Sequence, residues 1–245
     1  MKNIKNLNVR SIAVALATGS ILTLCGCSPH ELAPDEEYDT VSISSGDSSL
    51  SAELKQILDV PGQDFKLVTL YSCDNASKRE WRITSDKFLY LEVSTQGLPE
   101  NVEVYIDNVH IDTSIKSKYA VMDGILQDSM DDHVHSSQLV GFPISDNTSY
   151  YGVNAIEGSN EQFIQGTLHG YNGYLNGDVS SKRFTEQKYL ELGVYANKIQ
   201  VVYDLLVKGP NDKDFSNVSV CSDFLVPVTN LETEVEEEKT YTKGK

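Results

Sequence analysis

Short runs in which apolar and polar residues alternate fill most of this 245-residue chain between residues 65 and 228. Turn-forming residues separate these runs at intervals of roughly 8–12 residues, and the clearest run is Ile199–Val207. Lys66–Cys73 and Tyr150–Ile156 are two further runs of this kind and are predicted to be strands. Such alternation turns one side of a strand toward a core and the other toward solvent. The pattern predicts a mainly β fold over residues 50–229: a single antiparallel β-sandwich, Ig-like or jelly-roll-like, with one or two short helices.

Three local patterns add detail to this domain. The apolar phase changes at Asp107-Asn108 and again at Asn197-Lys198, and both dipeptides favour the tight turns of hairpins. Leu50–Asp59 carries leucine and isoleucine at helical spacing, which predicts a short helix at the start of the domain.

Acidic segments flank the predicted domain. Residues 27–49 contain six acidic side chains but neither Lys nor Arg, and residues 230–245 contain five glutamates. Segments of this kind bury too little apolar surface to offset the entropy of ordering. We expect a disordered acidic tether before the domain and a disordered acidic tail after it.

The N-terminus has the layout of a secretory signal sequence. Its only charges are Lys2, Lys5 and Arg10, and the uncharged, mostly apolar stretch Ser11–Leu24 follows them. The alternative is an uncleaved membrane helix, because the uncharged stretch through Pro29 approaches the ~20 residues that a bilayer span needs.

The tetrapeptide Leu24-Cys25-Gly26-Cys27 comes directly after the apolar stretch. It resembles the lipobox of bacterial lipoproteins. The resemblance implies that residues 1–26 are a signal peptide and that Cys27 carries a diacylglycerol thioether and an N-acyl chain. Two or more acyl chains give stable anchoring, so we expect the exported chain on the outer face of the bacterial cell membrane.

The charge of the chain limits its partners. The net charge is −16, and removal of residues 1–26 would leave 17 basic and 36 acidic side chains, a net charge of −19. Proteins that bind nucleic acid through phosphates need clustered Lys and Arg, so we expect no nucleic-acid partner. The expected partners are the membrane, through the lipid, and an unknown surface protein or glycan.

Two cysteines, Cys73 and Cys221, fall within the predicted domain. Export would place them where disulfides persist, and closing so long a loop would add roughly 4–5 kcal/mol of stability. A disulfide and two free thiols both remain open.

One cluster has the residue types of a metal site: Asp131-Asp132-His133-Val134-His135. On a strand, His133 and His135 would point to the same face, and Asp131 and Asp132 could complete a ligand shell. The alternative is a solvated polar loop.

Tyrosine is the one abundant aromatic residue, with 13 copies. Tyr150, Tyr151, Tyr171 and Tyr174 lie near predicted loop tips, where a ring with a hydroxyl group suits contact with a sugar or a protein. Ordinary strand packing is the alternative.

No motif of nucleophilic catalysis, phosphate binding or dinucleotide binding occurs in the sequence. We therefore expect a non-catalytic binding module with no cofactor beyond the covalent lipid. The alternatives are a metal- or small-ligand-binding lipoprotein and, third, a surface hydrolase. Three stretches, Tyr105–Ser114, Asp123–Asp132 and Tyr195–Leu206, are similar to uncharacterised lipoproteins of Gram-positive bacteria, a similarity that implies no activity.

Overall fold

The expected β-sandwich is confirmed by the computed structural model, which describes residues 38–45, 50–77, 81–120, 122–134, 140–159 and 185–228. Within these residues the chain forms two antiparallel sheets and two short helices. The elements are β1 (Ser42–Ser45), β2 (Leu50–Asp59), β3 (Lys66–Cys73), α1 (Asp74–Ser77), β4 (Lys87–Gln96), β5 (Glu103–Ser117), β6 (Leu126–His133), β7 (Phe142–Ile144), β8 (Tyr150–Ile156), α2 (Glu186–Glu191), β9 (Val194–Lys208) and β10 (Ser216–Pro227).

The first sheet has the strand order β1-β2-β3-β4-β8, and the second has the order β10-β9-β5-β6. The short strand β7 also pairs with β5. It shares one edge of β5 with β6, because β7 pairs with Val104–Ile106 and β6 pairs with Asn108–Ser114. The chain crosses between the sheets after β4, after β7 and after β8.

The core lies between the two sheets and is filled by alternate residues of each strand. Five inward residues of β9 are buried, as the sequence predicted: Ile199, Val201, Tyr203, Leu205 and Val207. The buried Tyr203 hydroxyl donates to Tyr71 Oη at 2.9 Å, and Tyr71 donates to Ser222 Oγ at 2.8 Å. This chain of hydroxyls satisfies polar groups that would otherwise be costly to bury.

The helix predicted over Leu50–Asp59 is wrong, because this segment is the strand β2. It pairs with β1 on one side and β3 on the other. Leu54 and Leu58 fit both a helical and an alternating pattern, but Ile57 fits only the helix and is 52% exposed. Two neighbouring ladders determine the structure of this segment more strongly than the spacing of its leucines does.

Both predicted hairpins are wrong as well, because each dipeptide lies inside one long strand. Pairing between β5 and β9 passes from Ile106–Leu205 directly to Asn108–Asp204, which leaves Asp107 as an extra residue. A bulge of this kind shifts the alternation by one residue without turning the chain. Asn197 is fully buried within β9 and cannot serve as a turn.

The tether prediction needs a correction at its C-terminal part. Val41 is buried, and its backbone N–H donates to Leu225 O of β10 at 2.9 Å. Residues 42–45 then form β1, so the domain begins earlier than residue 50. The predicted signal peptide, the rest of the tether and the tail lie outside the described residues.

Candidate functional site

The adjacent tyrosines of β8 point to opposite sides of the sheet. Tyr150 is buried; its hydroxyl donates to Asp132 Oδ2, and its ring meets Phe142 edge-on with 5.6 Å between ring centroids. Burial and the Asp132 carboxylate raise the pKa of Tyr150. Tyr151 is 69% exposed, and its hydroxyl donates to Glu92 Oε1 at 3.0 Å. Of this pair, only Tyr151 exposes its ring to solvent.

Tyr151 belongs to a contiguous outer surface of strands β4 and β8. Cross-strand pairing places Phe88 beside Ala155, Tyr90 beside Val153 and Glu92 beside Tyr151. We call five of these residues the aromatic face: Phe88, Tyr90, Tyr151, Val153 and Ala155. Val153 is 63% exposed and Phe88 is 45% exposed. Single exposed apolar residues are ordinary, but an adjacent group of them is typical of a binding surface.

The outer surface of the second sheet is polar and carries a histidine between two carboxylates. The ring of His110 lies 2.8 Å from Asp131 Oδ1 through Nδ1 and 3.2 Å from Asp112 Oδ1 through Nε2. The hydrogen bond to Asp131 is the main cause that raises the pKa of His110, and the same bond lowers the pKa of Asp131. We call these three residues the His110 cluster.

The predicted metal ligands do not converge. Asp131 and His133 point outward from β6, whereas Asp132 lies between them and accepts the hydrogen bond from Tyr150. In the described part of the chain, no group of three or more His, Cys, Asp or Glu side chains is arranged to hold a metal ion. His135, Tyr171 and Tyr174 lie outside the described residues.

Sequence reasoning missed His110 and Asp112 because it assigned a turn to the segment just before them. The signal that could have found them is the alternation of Asn108, His110 and Asp112 with the buried residues Val109 and Ile111. The expectation of a loop around Asp131 is wrong too, because β6 extends to His133.

The two cysteines of the domain are free thiols, so the disulfide that the sequence left open is not formed. The physical reason is orientation: Cys73 is buried between the sheets, whereas Cys221 is exposed on the outer side of β10. Burial also raises the pKa of the Cys73 thiol to about 12, which disfavours the nucleophilic thiolate.

A half-open groove of about 420 Å³ lies beside α2 and the start of β9. Its lining residues are Lys118, Gln187, Leu190, Glu191, Gly193, Val194, Tyr195 and Val228. The lining contains a single carboxylate, that of Glu191, which is 3.2 Å from Lys188 Nζ. The groove therefore lacks the paired carboxylates that glycoside hydrolysis uses.

Comparison with known proteins does not assign the chain to a family. No protein-family model and no curated protein sequence matches the chain. A crystal structure of a protein from Archaeoglobus fulgidus matches 75% of this chain and 97% of its own length, with 9% sequence identity and a TM-score of 0.24. Among the described residues, no helix has the length and apolar content that crossing a bilayer requires.

Proposed function

We propose that this chain is a lipid-anchored, non-catalytic binding module of the bacterial cell surface, and that its partner contacts the aromatic face. The observation that supports this proposal best is the exposure of Phe88, Tyr151 and Val153 side by side on one sheet. Water contact with such a surface is unfavourable by about 25 cal/mol for each Å² of apolar area, a cost that a partner removes.

The aromatic face combines rings with polar groups. Glu92 Oε1 accepts hydrogen bonds from Tyr151 Oη at 3.0 Å and from Ser149 Oγ at 2.9 Å. Those bonds fix a carboxylate beside an exposed ring, so that a partner can stack on the ring and donate to the carboxylate. A surface protein or a glycan supplies both kinds of contact.

The proposed anchor is Cys27, within Leu24-Cys25-Gly26-Cys27. A lipid at this position holds the chain at the membrane from one end. Tyr38, eleven residues after Cys27, contacts the sandwich: its hydroxyl accepts from Lys198 Nζ of β9 at 3.2 Å. Strand β1, which follows this segment, and strand β8 of the aromatic face form opposite edges of the first sheet, so the lipid-bearing end enters the sheet away from β8.

The test measures binding of the chain to envelope proteins and envelope glycans, by crosslinking for the former and by binding to purified cell-wall polymer for the latter. Tyr151→Ala and Phe88→Ala each remove an exposed ring and are expected to weaken binding by about tenfold, since truncation of such contacts costs about 1–2 kcal/mol. Ile57→Ala is the matched control, because Ile57 is 52% exposed on the same sheet but lies on β2.

The proposal is supported if binding is saturable, if Tyr151→Ala and Phe88→Ala each weaken it, and if Ile57→Ala leaves it unchanged. The proposal fails if neither probe binds, or if all three variants bind as the unaltered chain does.

A further inference from the structure

Strand β8 forms an edge of the first sheet. Its seven residues, Tyr150–Ile156, pair with β4 in a regular antiparallel register. Within the described ranges, no strand pairs with its other side. An edge of this kind presents free backbone N–H and C=O groups that can accept another strand.

The other described edges are protected in ways that β8 is not. Strand β6 carries Asp128, Asp131 and Asp132, β7 contains Pro143, and β1 is only four residues long. Strand β10 carries Asp223 and ends at Pro227, and residues 39–41 bond to Leu225 on its outer side. Charges, proline and shortness all discourage edge pairing. Strand β8 has no charged residue, no proline and no irregularity in its register.

We propose that β8 pairs antiparallel with β8 of a second copy of this chain, about a two-fold axis at Val153. The pairing would join two five-stranded sheets into one ten-stranded sheet. Because each copy uses the same strand, the contact is self-complementary and closes at two copies.

The side chains of β8 suit this register. The two-fold axis places Val153 opposite Val153 of the second copy and the large Tyr151 opposite the small Ala155. On the inner side, Gly152 lies opposite Asn154, whose side-chain nitrogen is buried and has no hydrogen-bond partner among the described residues. The large Tyr151 thus meets the small Ala155 on the outer face.

Strand β8 carries no charge of its own, and the β6 carboxylates beside its inner side already accept hydrogen bonds: Asp132 from Tyr150 Oη and Asp128 from Glu157 N. The chain has a net charge of −16, so most of its surface repels a second copy. In the proposed register, Glu157 lies opposite the uncharged Ser149. The two Glu92 side chains are three strand spacings apart, about 14 Å, which exceeds the ~8 Å screening length at physiological salt.

The pairing of two seven-residue strands buries less area than a stable soluble dimer needs, so the free energy of association is small. A lipid anchor would confine both copies to one surface and raise their effective concentration. This last step rests on the proposed function, whereas the strand pairing itself does not. Edge pairing uses the backbone at the side of the sheet, so the aromatic face of each copy stays exposed to a surface protein or glycan.

Thiol crosslinking of the full-length chain in its native membranes tests the inference. Val153→Cys is combined with Cys221→Ser, which removes the exposed native thiol. Directly opposite residues of antiparallel strands have Cβ atoms about 4.5–5.5 Å apart, within reach of mild oxidation or a short bis-maleimide. We expect a crosslinked dimer from Val153→Cys and none from Ile57→Cys, the matched exposed control on β2.

A second variant, Val153→Lys, places like charges opposite each other on the two-fold axis. Added to a chain that carries Ala155→Cys and Cys221→Ser, it is expected to abolish bis-maleimide crosslinking of the two copies in native membranes. The circular dichroism spectrum is expected to stay unchanged because residue 153 is exposed. A Val153→Cys chain that stays monomeric, crosslinks to a different protein, or crosslinks no better than Ile57→Cys overturns the inference. These readouts need no bound partner, so failure of partner binding on the aromatic face is a separate result.

Discussion

Two carboxylates beside His110 favour its charged form. Its pKa is raised above 6.5, mainly by the hydrogen bond to Asp131. The stability that this pairing contributes is therefore fully present below pH 6.5, and it is lost as the pH rises through the raised pKa of the folded state. The side chain is about one-third exposed, so solvent screening keeps the contribution below about 1 kcal/mol.

A titration followed by NMR checks this prediction at His110. We expect the imidazole to titrate above pH 6.5 in the unaltered chain. Asp131→Asn removes the main cause of the shift and is expected to lower the pKa of His110. A pKa that is the same in both chains would contradict the assigned cause.

Lys87 is a buried cation at one end of the sandwich. Its Nζ donates to Arg82 O at 2.6 Å and to Ser85 O at 3.1 Å, and it lies 5.4 Å from the centroid of the Trp81 ring. Burial lowers the pKa of Lys87 to about 8. The cost of burying the charge is fully present below pH 8, and it is relieved as the pH rises toward 10.5, where the unfolded chain also loses the proton.

Denaturant unfolding at two pH values isolates this effect. Lys87→Met removes the titrating group and nearly keeps the volume of the side chain. From pH 7.5 to pH 9.5, the free energy of unfolding of the unaltered chain is expected to rise by about 2 kcal/mol relative to Lys87→Met. An equal change in both chains would mean that Lys87 has the same pKa folded and unfolded.

At the scale of elements, one carboxylate joins α2 to the irregular segment before β4. Glu186, which is 8% exposed, accepts from Ile83 N at 2.9 Å, from Thr84 N at 3.1 Å and from Thr84 Oγ1 at 2.9 Å. Removing the acceptor leaves these donors unpaired in a largely buried place. We expect Glu186→Ala to reduce the free energy of unfolding by about 2–4 kcal/mol.

The matched control is Glu191→Ala at the other end of the same helix. Glu191 is half exposed and pairs with Lys188 among the residues that the structure describes, so its loss is expected to cost less than about 0.5 kcal/mol. Urea denaturation measures the free energy of unfolding of both variants. A similar decrease in the two would show that the buried hydrogen bonds of Glu186 contribute no more than the exposed pair of Glu191.

The alternation in the sequence predicted elements well where a strand is regular. Residues 66–73 and 150–156 were predicted as strands with the bounds that the structure has. It failed where a long-range contact decides the local structure. Asp107-Asn108 has the composition of a turn, but pairing with β9 keeps it inside β5 as a bulge. The His110 cluster was missed for the same reason, because its members come from β5 and β6 and meet only through strand pairing.

At the scale of the whole molecule, the two outer sheet surfaces differ in chemistry. The first sheet presents the aromatic face, whereas the second presents the His110 cluster together with Asp204 and Asp223. Composition alone averages these surfaces into one acidic chain. The cross-strand register separates them. The exposed rings lie on the outer side of the first sheet, and the His110 cluster lies on the outer side of the second.

The membrane location depends on one residue in our proposal. Cys27→Ser removes the thiol that would accept the lipid, and the part of this variant from which residues 1–26 have been removed is expected to move from the membrane fraction to the soluble fraction on centrifugation. Each buried CH₂ group of an acyl chain contributes about 0.8 kcal/mol, so loss of the lipid removes far more binding energy than this acidic chain could recover from anionic headgroups. Cys25→Ser is the matched control, because it changes the same residue type two positions earlier and is expected to leave the chain on the membrane. Membrane retention of Cys27→Ser chains whose mass shows that residues 1–26 are absent, or release of Cys25→Ser, would contradict Cys27 as the anchor.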